Sequence, residues 1–295
     1  NAIRILTQQQ SGKSTGGLLL TYATLASIAK YPCESIAKSK KEIHRKKFGF
    51  FQSEKQNFLD IAQSTQMIQL SEEPIIFQRH PFVWLVEAAD DICYNIIDLE
   101  DAHRLGIISH EKCLELFLNF IRSIASHDVD KINTRVKSIS NKNDRIAYLR
   151  AKTIHYLILS SIENFINNES QIFSGNQTQS IFDIIKSQHS AIQEIENFTI
   201  ENIYNHRSVI EIENAGYNVM AELLSHVIAP IILNEEERDN AQKKAVLLIP
   251  SQFLYENESI YQRVMGVIDY VSGMTDNYAT DLYRKIKGID IGMTI

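Results

Sequence analysis

The chain has 295 residues, 44% of them hydrophobic and 22% charged, which suits a globular protein with a sizeable core and excludes a disordered or collagen-like one. A formal net charge of −6 gives no global attraction to nucleic acid or anionic lipid, so any anion binding must be local. Three cysteines, Cys33, Cys93 and Cys113, show no metal or redox spacing, and no apolar run reaches the roughly 18 residues of a spanning helix. Free thiols and the absence of a recognisable signal peptide point to the cytoplasm, with no membrane partner.

With 11 Gly and 5 Pro, the chain has little punctuation, which favours long helices over many short strands. The chain opens at Asn1, and Ile3-Arg4-Ile5-Leu6 already reads as structured, so residues are expected upstream. Leu18 to Ala29 is rich in helix formers and ends before Pro32. Ser39 to Phe51 reads as a basic loop, Ser53 to Gln69 as an amphipathic helix, and Glu72 to Gln78 as a break around Pro74. Pro81 to Leu105 predicts a long helix with proline in its first turn, followed by another over Glu111 to Ser126. Val129 to Lys142 is polar, Arg145 to Phe165 helical, and Gly175 to Thr178 a loop. Further helices are expected over Ile181 to Asn197, over Asn205 to Ile232 with a bend near Gly216, and through most of Gln252 to Ile286, with Asn234 to Ala241 a charged linker or helix end. There is no internal repeat and no βαβ alternation; the prediction is all-α.

The segment from Pro81 to Glu100 stands out. Most of its circumference is apolar, which predicts a buried helix, yet Asp90, Tyr94 and Asp98 recur every four residues along one stripe. Burying carboxylates is costly unless they are paired or hold a cation, so the stripe is a functional candidate. The competing reading is a wet face salt-bridged to nearby Lys or Arg, and periodicity alone leaves the two evenly matched.

The words of the sequence add to its spacing. Glu87-Ala-Ala-Asp-Asp-Ile-Cys-Tyr94 after His80-Pro81, then Asp98-Leu-Glu-Asp101, resembles the deoxyguanosine triphosphate triphosphohydrolase family of HD-domain phosphohydrolases. So do Leu19 to Leu25 with Lys30-Tyr31-Pro32, Lys47-Phe48-Gly49-Phe50-Phe51, and Ser272-Gly-Met-Thr-Asp276 with Tyr278-Ala279. These stretches follow in the family's order and cover nearly the whole chain. The resemblance implies a multi-helix HD-type architecture with its N-terminal part missing: 1–130 part of the catalytic core, 131–295 a C-terminal helical region. It implies hydrolysis of a deoxynucleoside triphosphate, dGTP first, to deoxynucleoside and inorganic triphosphate, with a divalent ion, Mn or Mg. By the same resemblance Asp90 is a metal ligand, while the remaining ligands and the catalytic His and Glu are expected upstream of Asn1. A piece with one ligand of the set is expected to hydrolyse little by itself.

The resemblance also implies that Tyr94 packs where a ribose would carry its 2′-hydroxyl and that Asp98 accepts from the 3′-hydroxyl. Such an arrangement rejects ribonucleotides sterically and dideoxynucleotides through an unpaired carboxylate. Lys30, Tyr31 and Lys47 would hold the triphosphate. Tyr204 would stack on the base and Glu213 would accept from a guanine edge. Family members commonly form homo-oligomers with nucleotide effector sites, and some bind single-stranded DNA. The alternative is a catalytically incomplete homologue that binds nucleotides.

Several tempting features read more blandly. Ser11-Gly-Lys-Ser-Thr15 suggests a phosphate-binding loop, but that motif needs a glycine where Thr7 stands and a strand before it. His127-Asp128 lies after the acidic helix, and capping is the expected role of its aspartate. His103, His110 and His206 lack helical partners that would make a metal pair. Arg150 and Lys152 read as a solvated or subunit-facing edge, Lys40 to Lys47 as an exposed basic loop, Lys243-Lys244 as a surface pair, and Met274 and Tyr278 as packing residues.

Overall fold

A computed structural model describes residues 1–8, 17–255 and 258–290. The Ser11–Thr15 stretch lies outside the described residues. In chain order the helices are α1 (Ala2–Thr7), α2 (Tyr22–Ile28) and α3 (Lys55–Ser64), then a ribbon of β1 (Gln69–Ser71) and β2 (Ile76–Phe77). There follow α4 (Val83–Arg104), α5 (His110–Ile124), α6 (Val129–Ser138), α7 (Lys142–Asn167), α8 (Glu169–Phe173), α9 (Ile181–Gln188) and α10 (Ser190–Thr199). Last come α11 (Arg207–Ile231), α12 (Asn240–Val246), α13 (Ile260–Ser272) and α14 (Asp276–Ile286). The all-α class holds; the one sheet among the described residues is the antiparallel β1–β2 pair. None of these helices is long and apolar enough to cross a membrane.

Helix ends follow the local sequence. Thr21, Ser109, Asn141 and Ser180 each accept a backbone N–H in the first turn of α2, α5, α7 and α9. A cap of this kind is worth about 1 kcal/mol. At the end of α4 the chain reverses through Gly106, whose φ of +72° is open to glycine without strain. The polar stretch after Asp128 is a helix after all, α6, because Val129, Ile132 and Val136 recur at helical spacing and are buried. The charged stretch after Asn234 likewise enters a helix, α12, through a capping box between Asp239 and Gln242.

The chain divides into two units, Asn1–His206 and Arg207–Ile295. In the first, α4 is the central element, packed on α7, α9, α10 and α5. Its core side carries Trp84, Ala88, Ile92, Ile96, Leu99 and Ala102, which join Phe117, Phe120, Leu149 and Leu157. Each large apolar side chain fully buried there contributes about 1.5–3 kcal/mol. A smaller cluster of Ile3, Leu25, Phe50, Phe58, Ile61 and Phe77 holds α1–α3 and the ribbon. In the second unit, Leu223, Val227, Ile231, Val267, Tyr270 and Val271 form a separate core.

Candidate functional site

The acidic stripe of α4 lies on the helix's exposed side, which corrects the expectation of a helix buried all round. Val86, Asp90, Cys93 and Tyr94 face solvent, Tyr94 at 58% exposure, and Asp98 is half-buried. The physical reason is amphipathicity: the apolar residues that pack form one face, and Ala89, Cys93 and Val86 are small or moderate enough to remain on the other. The buried carboxylates of α4 are Glu87 and Glu100. Sequence reasoning quoted both and assigned neither a role.

Two side-chain pairs organise the stripe. Near its start, Lys30 Nζ lies 3.9 Å from Asp90 Oδ2 and 3.2 Å from Glu87 Oε1. Near its end, the Tyr204 hydroxyl donates to Asp98 Oδ2 at 2.7 Å. Tyr204 reaches α4 because α10 continues into a single π turn, Ile200–Tyr204, an irregularity often found at functional sites. Partial burial pushes the Tyr204 phenol up, and its bond to the Asp98 carboxylate pushes it further, so it stays protonated and donates. Five of the sequence-predicted residues, Lys30, Asp90, Tyr94, Asp98 and Tyr204, thus fall along one side of α4.

Lys30 and Tyr31 also line a polar cleft of about 250 Å³ with Lys46, Glu87, Asp91, Asn95, Asp183, Lys186 and Glu196. The lysine of the basic loop that reaches this wall is Lys46. Lys47 is exposed, and its backbone oxygen accepts from the Cys33 thiol at 3.4 Å. Gly49 shapes the wall as well: a β-carbon there would run into the Tyr31 carbonyl oxygen, so only glycine lets the basic loop close on Tyr31. Burial pushes the Asp91 carboxyl up to about 6; Lys30 opposes the shift, while Glu87 and Asp90 add to it. Glu213 belongs to the second unit, where it is exposed on α11 beside Gly216, Tyr217 and Met220.

Beneath the cleft is a buried charge network. Arg79, 5% exposed, donates to Glu87 Oε2 at 2.6 Å, to the Lys30 carbonyl at 2.9 Å and to the Ile43 carbonyl at 3.0 Å. Its guanidinium carbon stacks 4.7 Å from the Trp84 ring and 5.8 Å from the Tyr31 ring. The signal that could have found Arg79 is its place immediately before His80-Pro81, in the family-like stretch.

A divalent ion does not fit the described residues by themselves. They include no group of three or more His, Cys, Asp or Glu side chains that could hold a metal. Asp90 offers one carboxylate, with the Lys30 ammonium beside it.

The remaining features resolve into structure. The Asp128 side chain caps nothing; it accepts from the Tyr156 hydroxyl at 2.6 Å, while His127 lies 3.6 Å away and largely exposed. Arg150 is no free edge, since it binds Glu100 across the α4–α7 contact. Tyr278 pairs its hydroxyl with that of Tyr270 at 3.1 Å. His103 and His110, distant as helical partners, meet across the α4–α5 turn: His110 Nδ1 and His103 Nε2 are 3.2 Å apart.

Comparison with known proteins agrees with this picture. Residues 184–285 match the family model of the phosphohydrolase-associated domain. A deoxyguanosinetriphosphate triphosphohydrolase-like protein of Synechocystis is 32% identical over 98% of this chain and 64% of its own length. One from Listeria monocytogenes is 30% identical over 92% of this chain and 61% of its own. The deoxyguanosinetriphosphate triphosphohydrolase of Salmonella paratyphi A is 28% identical over 92% of this chain and 60% of its own. The chain therefore spans less than two thirds of the length of these relatives. Over nearly all of its own length, it is similar to deoxyguanosinetriphosphate triphosphohydrolase-like proteins.

Proposed function

We propose that this chain carries the nucleotide-recognition wall of a deoxynucleoside triphosphate triphosphohydrolase, with dGTP the first substrate to test. Lys30 and Tyr31 take the polyphosphate, assisted by a lysine of the basic loop, Lys46 or Lys47. Tyr94 fills the space beside C2′ of the sugar, and Asp98, oriented by Tyr204, accepts from the 3′-hydroxyl. Asp90 contributes one carboxylate toward a Mn or Mg ion. One carboxylate does not make a metal centre, so the role assigned to the described residues is recognition.

The observation that carries this reading is that Lys30 and Tyr204, from distant parts of the sequence, meet the Asp90–Tyr94–Asp98 stripe along one side of α4. Ammonium and phenol donors suit phosphoryl oxygens, and an oriented carboxylate suits a sugar hydroxyl. A guanine contact from Glu213, assembly into homo-oligomers, a nucleotide effector, single-stranded DNA binding and a cytoplasmic location are further parts of the proposal, supported by the family resemblance alone.

The test is product analysis. The full-length protein that carries this chain is incubated with dGTP, GTP and 2′,3′-dideoxy-GTP in the presence of Mn or Mg. Deoxyguanosine with inorganic triphosphate, from dGTP alone, supports the reading. Orthophosphate as the product, or equal use of GTP, overturns it. Tight dGTP binding without turnover favours a nucleotide-binding homologue.

A further inference from the structure

Glu87 lines the cleft, while its partner Arg79 lies in the core behind it and is not needed to touch a nucleotide. Both are nearly fully buried, which is expensive for charge unless each group is satisfied. Arg79 donates from all three of its nitrogens, to the Glu87 carboxylate and to the carbonyl oxygens of Lys30 and Ile43, with the Trp84 and Tyr31 rings close to its guanidinium. Glu87 accepts from Arg79 on both oxygens, at 2.6 Å on Oε2 and 3.4 Å on Oε1, and turns Oε1 toward Lys30 Nζ as well, 3.2 Å away. Lys30 is therefore gripped twice, by its backbone through Arg79 and by its ammonium through Glu87. Burial works against the Lys30 charge, but the Glu87 carboxylate, with Tyr31 and Asp91, outweighs it and keeps the ammonium protonated.

A lysine ordinarily carries much rotamer freedom, which is lost when it clamps a ligand. An ammonium held in place beforehand has already lost it. Arg79, Glu87 and Lys30 together carry one net positive charge, and Lys30 lines the cleft. We propose that Glu87, locked by Arg79, is a positioning residue that holds the Lys30 ammonium ready for a polyphosphate. The proposal rests on the reading of Lys30 as a phosphate-binding residue.

Positioning and plain electrostatics predict opposite signs. Neutralising Glu87 removes a negative charge from the polyphosphate's surroundings, which by charge alone strengthens binding. If Glu87 positions Lys30, the same change weakens it. Calorimetry with inorganic triphosphate as the probe, on the full chain, reads the difference. Glu87→Gln and Glu87→Asp are each expected to weaken binding about 3- to 10-fold, the latter with no change of charge because its shorter arm cannot serve Arg79 and Lys30 together. Lys30→Ala is expected to weaken binding at least as much. Adding Glu87→Asp to Lys30→Ala is expected to cost nothing further, a pattern that a general loss of stability would not give. A thermal scan identifies variants that fail to fold; if Glu87→Gln does, Glu87→Asp decides. Wild-type or tighter binding by a folded Glu87 variant, with Lys30→Ala weakened, overturns the positioning role and leaves the phosphate reading standing. Unchanged binding by Lys30→Ala, or none by the wild type, overturns both.

Discussion

Glu87 and Glu100 lie near opposite ends of α4 and look alike on a burial list, at 7% and 1% exposure. Each carboxylate has two cations. Glu87 has Arg79 and Lys30; Glu100 has Arg104, at 3.2 Å, and Arg150. The difference lies in where the cations sit. The Arg79 side chain is 1% exposed and has no route to water, whereas those of Arg104 and Arg150 are 53% and 34% exposed. Lys30 opens on a polar cleft, while Arg150 ties α7 to α4 and Arg104 reaches back one turn along α4 itself. A buried carboxylate is thus not a functional sign in itself; what its cations reach beyond it decides the role.

Removing each glutamate would break the symmetry most sharply. Glu87→Ala strands Arg79 in the core and is expected to cost about 3–5 kcal/mol in urea unfolding, as for other broken buried pairs. Glu100→Ala is expected to cost less, about 2–3 kcal/mol, although Glu100 is the more buried, because its arginines can turn into water. It should leave affinity for inorganic triphosphate unchanged. A larger loss for Glu100→Ala than for Glu87→Ala would show that depth of burial, and not the fate of the stranded cation, sets the cost.

The Glu100 end has a further property. Burial, acting first, lowers both His103 and His110 below the ordinary 6.5; Glu100 opposes the shift at His103, and Glu111 opposes it at both. His103, Lys142 and Arg145 add to the lowering at His110. The folded state therefore binds protons less readily than the unfolded state. The contribution of the pair is complete above pH 6.5 and is lost as the pH falls below it. Stability is expected to drop as the pH falls from 6.5 toward 5 through this pair. His110→Gln should flatten that slope in pH-dependent unfolding; an unchanged slope would clear the histidines. The smallest effect is expected from Tyr204→Phe, which removes the bond to Asp98 at a partly exposed site. It should cost under about 1 kcal/mol of stability. If Asp98 depends on that bond for orientation, the variant should also raise the KM for dGTP relative to 2′,3′-dideoxy-GTP.

The sequence alone determined the helical class, the positions of most long helices and the family resemblance, because helical periodicity, sparse glycine and proline, and short family-like stretches are local properties. It also picked out Lys30, Asp90, Tyr94, Asp98 and Tyr204, and the tertiary structure brings them to one side of α4. It misjudged which side that is: a helix whose outer side carries Val86, Ala89 and Cys93 reads as buried all round until its neighbours are known. It missed α6, whose three buried positions are hidden among polar residues. Arg79 and Glu87 were beyond it for a different reason. A buried ion pair leaves no periodic mark, and its partners, Lys30, Ile43, Trp84 and Tyr31, come from three separate stretches of chain. The pairing of His103 with His110 likewise depends on the reversal at Gly106, which places two helix ends together. Periodicity records which residues share a face; only the fold decides what that face meets.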